Sequence, residues 1–144
     1  MKKNTLHSNA LLILEITLAG LAMMGLAYGL YFLFHSFIQR SVFAAAAIVI
    51  PTVYTRLVFA LIMVLGYWFV SRSKMKELFK AIAATVPTGS LILAAGIGLY
   101  RWPTAAWAAK LLVLTLIVLY LYKAKKPWIY FYAVTLAALL AIIY

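Results

Sequence analysis

The sequence predicts an all-α fold, a polytopic membrane helix bundle of about five transmembrane helices forming a single integral membrane domain over residues 1–144. Three observations carry this reading. Of the residues, 68% are hydrophobic and 10% charged, against roughly 45–50% and about 25% in soluble domains. A water-soluble chain of this size has no interior large enough to hide so much apolar surface. Next, apolar runs recur at lengths near the roughly 20 residues that cross a bilayer. Finally, the thirteen Lys and Arg, set against two acids, fall mostly in the short connections between those runs, where membrane topology accounts for them.

Met1-Lys2-Lys3 and the apolar run from Ala10 resemble the start of a secretory signal, and Ala19-Gly20-Leu21-Ala22 mimics a cleavage site. A signal's apolar core is about 7–15 residues, whereas this run continues to Phe37. The expectation is an uncleaved first span, residues 9–37, with Glu15 about one and a half turns inside it. Gly25 and Gly29 form a GxxxG pair, spacing that lets another backbone approach closely.

Ser41 to Val70 is bounded by Arg40 and Arg72. As one helix it would be about 45 Å long, against a hydrocarbon core of about 30 Å. Pro51 is the natural interruption, because proline removes a backbone donor and clashes with the preceding turn. The favoured reading is a broken, interfacial or re-entrant piece at 41–50 followed by a span at 51–71; one long kinked helix is the alternative. Both put Arg56 in the apolar zone. The polar stretch Ser71–Lys80 reads as a charged connection, with a short amphipathic surface helix as the competing reading, since Met75, Leu78 and Phe79 share one helical face.

The third span is expected at 81–100, kinked by Pro87, with Ser90, Ala94 and Gly98 making a smooth packing face. Gly96-Ile97-Gly98 lacks the third glycine and the preceding strand of a nucleotide loop. Arg101-Trp102-Pro103 forms an interfacial turn before a fourth span at 104–122 that carries Lys110. Lys123-Ala124-Lys125-Lys126-Pro127 is a basic turn, and the fifth span, 128–144, opens with the interface aromatics Trp128, Tyr130 and Tyr132. Nine basic residues then lie on one side of the membrane, and Arg40 and Arg101 on the other. The positive-inside rule makes the N-terminus cytoplasmic and the C-terminus external, in a prokaryotic-type inner membrane.

Intramembrane ionisable groups are functional candidates by default. Here they are Glu15, Arg56 and Lys110. Counted from the cytoplasmic side, Glu15 lies about 8–10 Å deep and Arg56 about 24 Å, while Lys110 lies about 10 Å below the outer turn. Arg56 and Lys110 thus share the outer half, with Arg40, Arg101 and His35 at its rim and no side-chain carboxylate among them. Cations gathered without counter-ions point to an external anion. A phosphate-bearing headgroup suits them, with guanidinium offering paired donors and lysine a point charge, and Tyr54, Thr52 and Thr55 nearby for neutral hydrogen bonds. The candidate ligand residues are Arg56, Lys110, Arg101, Arg40 and Tyr54; Glu15 is the candidate ion or proton relay. The bland reading stands beside this one: Arg56 and Lys110 snorkel to the outer interface, or Arg56 meets carbonyls exposed by Pro51, and Glu15 is simply hydrated.

Several classes are disfavoured. Cysteine is absent and the two histidines stand at opposite ends of the first span, which argues against metal centres, haem and any other bound cofactor. No basic face tracks a phosphate backbone, so nucleic acid is not an expected partner. Two remote carboxylates offer little for catalysis, so an enzyme is the weaker reading. The expectation is a small membrane protein that binds or translocates an anionic lipid or lipid-linked intermediate, with membrane lipids as partners. The alternatives are an accessory subunit of a larger membrane complex, which predicts that the small-residue faces stay exposed on the isolated chain, and a small solute or ion transporter acting as a homo-oligomer.

Overall fold

A computed structural model describes residues 2–41 and 51–143, with side chains from residue 8 onward. Its elements are all helical: α1 (Lys2–Ser41), α2 (Thr52–Arg72), α3 (Glu77–Ala83), α4 (Thr85–Gly98), α5 (Pro103–Lys123) and α6 (Trp128–Ile143). α3 and α4 run on as one rod, Glu77–Gly98. Among the described residues there are thus five helices, of which four are long and apolar enough to cross a membrane and α6 is a shorter apolar one. By helix length and hydropathy the chain is a polytopic membrane protein.

The helix ends follow from local chemistry. Pro51 is extended (φ −58°, ψ 134°) and precedes the first helical residue of α2, a place where its missing N–H removes nothing the helix uses. Ser73 closes α2, with its hydroxyl donating to the Val70 carbonyl at 2.6 Å and its N–H to the same oxygen at 3.1 Å. Pro103 opens α5 at its first turn. The α5–α6 connection is tight enough to hold Lys125 at φ 49°. The favoured interfacial or re-entrant piece at 41–50 lies outside the described residues except for Ser41, which ends α1.

The α3–α4 rod is the centre of the bundle. Two-thirds of its apolar window (67%) is buried, against 11–17% in the three other long helices, and α2, α5 and α6 all pack chiefly on α4. Pro87 has no N–H to give the Ala83 carbonyl, which explains why the rod breaks one residue later, at Ala84. The break is shallow. Ala84 keeps helical dihedrals (φ −66°, ψ −19°), and Thr85, fully buried, donates its hydroxyl to the Ile82 carbonyl at 2.7 Å. The third helix also begins at Glu77, four residues before the expected start, so the polar stretch divides into a connection at 73–76 and the first turn of a span.

Two clusters hold the helices together. The larger one joins Ile16 of α1, Ala81 and Ile82 of α3, Leu121 of α5, and Tyr130, Ala133 and Val134 of α6. The smaller one joins Ile92 to Ala138 and Ala141. Beside the larger cluster the Tyr130 hydroxyl donates to Glu77 at 2.6 Å, Lys80 reaches the same carboxylate at 3.2 Å, and Lys126 stands 5.0 Å from the Tyr130 ring centre. The α2–α3 and α5–α6 connections therefore sit at one end of the bundle, next to the N-terminal half of α1, where Thr17 and Tyr132 share a 2.8 Å hydrogen bond.

Close approach is made by small residues, though not all those the spacing suggested. A Cβ on Gly89 would meet Met24 Cε at 2.5 Å, one on Gly20 would meet Leu136 at 3.2 Å, and one on Gly96 would collide with the Lys110 side chain. A Cβ on Gly25, Gly29 or Gly98 would meet nothing within 4 Å. Within this chain those three glycines are not helix contacts, whereas Ala94 of the same predicted face is buried. Ala133 has no exposed surface and lies in the larger cluster. Ala133→Leu is expected to overpack it and destabilise the fold by about 1–3 kcal/mol, read as a lowered unfolding midpoint in detergent micelles, with Ala133→Gly giving a smaller loss.

Candidate functional site

Arg56 lies on the second turn of α2, about 6 Å along its axis from Thr52. On that helix Thr55 and Phe59 are buried at i and i+4, and Ala60 follows Arg56 by four residues. Arg56 is therefore on the inward side of α2, at the edge of the face that packs on its neighbours. Its guanidinium carbon stands 4.9 Å from the centre of the Tyr31 ring of α1. Its Nε is buried and has no hydrogen-bond partner.

Arg56 also lines a cavity of about 330 Å³ between α1, α2, α4 and α6, at the lower end of the roughly 300–1,000 Å³ typical of small-molecule sites. Its walls are almost wholly apolar, from Leu21 and Met24 to Phe59, Leu93 and Leu140, with Ser90 and the tyrosines Tyr28 and Tyr31 as polar exceptions. Arg56 is the only charged residue lining it among the described residues. Gly89, in the lining, lets Met24 of α1 pack close against α4.

A small polar hub anchors Tyr31 behind the arginine. Thr55, 3% exposed, donates its hydroxyl proton to the Thr52 carbonyl at 3.0 Å. The same oxygen lies 2.9 Å from His35 Nδ1 and 3.3 Å from the Tyr31 hydroxyl. With its only proton committed, Thr55 accepts from both, which puts the His35 proton on Nδ1. The Tyr31 and His35 rings stack at 6.0 Å, and Phe59 meets Tyr31 edge-on at 5.5 Å. Two helices are thus tied by one hydroxyl, and the ring beneath Arg56 is held in place.

The other predicted site residues lie elsewhere. Lys110 lays its side chain across Gly96, with Nζ 5.4 Å from the Trp107 ring centre; it is one turn along α4 from Leu93, where the cavity lining stops. Arg101 is exposed in the α4–α5 connection, its Nε 3.4 Å from the Tyr100 hydroxyl. Arg40 is exposed in the last turn of α1 and Tyr54 points away from the bundle at 65% exposure. Glu15 is exposed beside the fully buried Ile16 and does not line the cavity. Sequence reasoning missed Tyr31 and Met24. The i, i+4 pair Tyr31 and His35 was the available signal, since two polar rings on one face of an apolar helix imply a polar partner.

Comparison with protein-family models, with curated proteins and with solved structures finds no match to this chain.

Replacing Thr55 by Val keeps the shape and removes the hub, leaving the Tyr31 and His35 donors without their acceptor. A destabilisation of about 1–3 kcal/mol is expected, measured by thermal unfolding in micelles, whereas Thr55→Ser retains the hydroxyl and stays close to wild type.

Proposed function

We propose that this protein binds an anionic lipid or lipid-linked molecule, with Arg56 as the principal ligand of its acidic headgroup. The observation that carries this is the buried, unpartnered Nε of Arg56 at the edge of an otherwise apolar cavity. A cation removed from water costs several kcal/mol unless it is paired. The Tyr31 ring returns only about 0.5–2 kcal/mol of that through a cation–π contact. Among the described residues no carboxylate lines the cavity, which supports an anion supplied by a ligand. A phosphate or carboxylate group suits it, because guanidinium presents donors in a plane that matches two acid oxygens.

The proposed orientation follows the positive-inside rule. The end carrying Lys74, Lys76, Lys123 and Lys125 faces the cytoplasm, and the Arg56 end faces outward. Binding then takes place in the outer half of the bilayer, and a role in moving such a lipid between leaflets would start or finish there. Arg40, Arg101 and Lys110 are proposed to raise the local concentration of anionic headgroups near that surface rather than to line the cavity.

A second reading has its own support. Gly29 and Gly98 are exposed, with open space where a Cβ would stand, as expected of faces reserved for another helix in a larger complex.

Native mass spectrometry of protein extracted gently from its own membrane separates the two. Wild type is expected to retain an anionic lipid, and Arg56→Gln to lose at least tenfold of that occupancy while keeping its zwitterionic lipids. Equal retention by both proteins, or a stoichiometric protein partner in place of the lipid, would replace the headgroup reading with the subunit one.

A further inference from the structure

We infer that the cavity beside Arg56 is the berth of a single hydrocarbon chain, which reaches it sideways from the bilayer past Gly25. The ligand class is therefore an amphiphile with an acidic head and an acyl or prenyl tail, rather than a free phosphate or other soluble anion. This rests on the headgroup reading of Arg56 and extends it to the other end of the ligand.

Three observations carry the inference. The first is polarity along the cavity: among the described residues Arg56 is its only charged lining residue, and Leu21, Leu93 and Leu140 are among the apolar walls. A hydrated anion has nothing to gain from such walls, whereas a hydrocarbon tail fills them at no desolvation cost.

The second is where the cavity opens. Gly25 and Tyr28 line it and are also exposed on the surface of α1, Tyr28 at 45%. A Cβ at Gly25 would meet nothing within 4 Å, so the missing side chain leaves a gap in the wall. Gly25 sits midway along the apolar segment Ser8–Ser41. An opening at mid-depth of a membrane-spanning helix faces lipid tails and not water.

The third is the placement of the charge. Arg56 is on the second turn of α2, near the end of the bundle where a headgroup lies. Head and tail sites are thus ordered along the membrane normal as they are in a lipid of the same leaflet.

Gly25→Leu tests the tail site without touching Arg56. A Cβ at this position has open space, and leucine is a better helix former than glycine, so the helix is expected to form. Its side chain then occupies the gap. Delipidated wild type, Gly25→Leu and Arg56→Gln are titrated in detergent with phosphatidylglycerol, palmitate, phosphatidylcholine and glycerol 3-phosphate, with binding read by native mass spectrometry. Wild type is expected to bind at least one of the two tailed anions tenfold or more tightly than phosphatidylcholine or glycerol 3-phosphate. Which of the two it prefers identifies a phosphodiester or a fatty carboxylate as the head. Both substitutions are expected to weaken that binding at least tenfold.

If Arg56→Gln abolishes binding but Gly25→Leu leaves it unchanged, the tail lies elsewhere and the inference is overturned, while the headgroup reading survives. Glycerol 3-phosphate binding as tightly as phosphatidylglycerol would overturn it in the same way. If Arg56→Gln changes nothing, the headgroup reading itself falls. Should Gly25→Leu fail to fold, Ser90→Leu fills the same cavity from α4 and carries the same expectations.

Discussion

In hydrocarbon a backbone amide or carbonyl has no water to turn to, and each must find its partner inside the helix that carries it. The α3–α4 rod meets this constraint where it is hardest, because Pro87 lies in its most buried stretch. The solution is local. Ala84 absorbs the break with near-helical dihedrals and Thr85 supplies a hydroxyl to the Ile82 carbonyl. Since the rod stays continuous, α2, α5 and α6 can all pack along it, with α1 laid against α3, α4 and α6. A sharper kink would have divided the alanine face of α6, Ala133 to Ala141, from its partner.

Against that apolar frame the polar side chains fall into two groups with different logic. In the Glu77, Tyr130, Lys80 and Lys126 group at the edge of the bundle, one carboxylate takes both the Tyr130 hydroxyl and the Lys80 ammonium, and Lys126 stands by the Tyr130 ring. The Arg56 group is unbalanced. Its hydroxyls and imidazole satisfy one another through Thr55, while the one full charge is left with an aromatic ring. A structural arginine is usually supplied with a carboxylate or with carbonyls by its own chain.

Much of this was legible in the sequence, and the part that was not has a definite cause. Span number and helix ends follow from run lengths, prolines and basic connections, which are properties of position along the chain. The place of Arg56 near the start of its helix followed from counting residues. Azimuth did not, because helices that are apolar nearly all round carry no stripe to say which side faces inward. Depth placed Arg56 and Lys110 in the same half of the membrane, yet only Arg56 turns its side chain to the cavity. The same limit applies to the glycines. A four-residue spacing says that a backbone is able to approach at Gly25 and Gly29, but the approaches occur at Gly20, Gly89 and Gly96. The cavity, made by four helices together, has no signature in any one of them.

The two ends of the bundle are also unequal in cohesion. The larger cluster and the Glu77–Tyr130 contact pin four helices at one end, whereas at the other α1 and α2 are joined through Thr55 and a few aromatic rings around an open space. Mechanically this is a clothes-peg, stiff at the spring and compliant at the jaws. Thermal breathing concentrates where few apolar contacts must be broken, and among the described residues α2 leans far more on α4 than on α1.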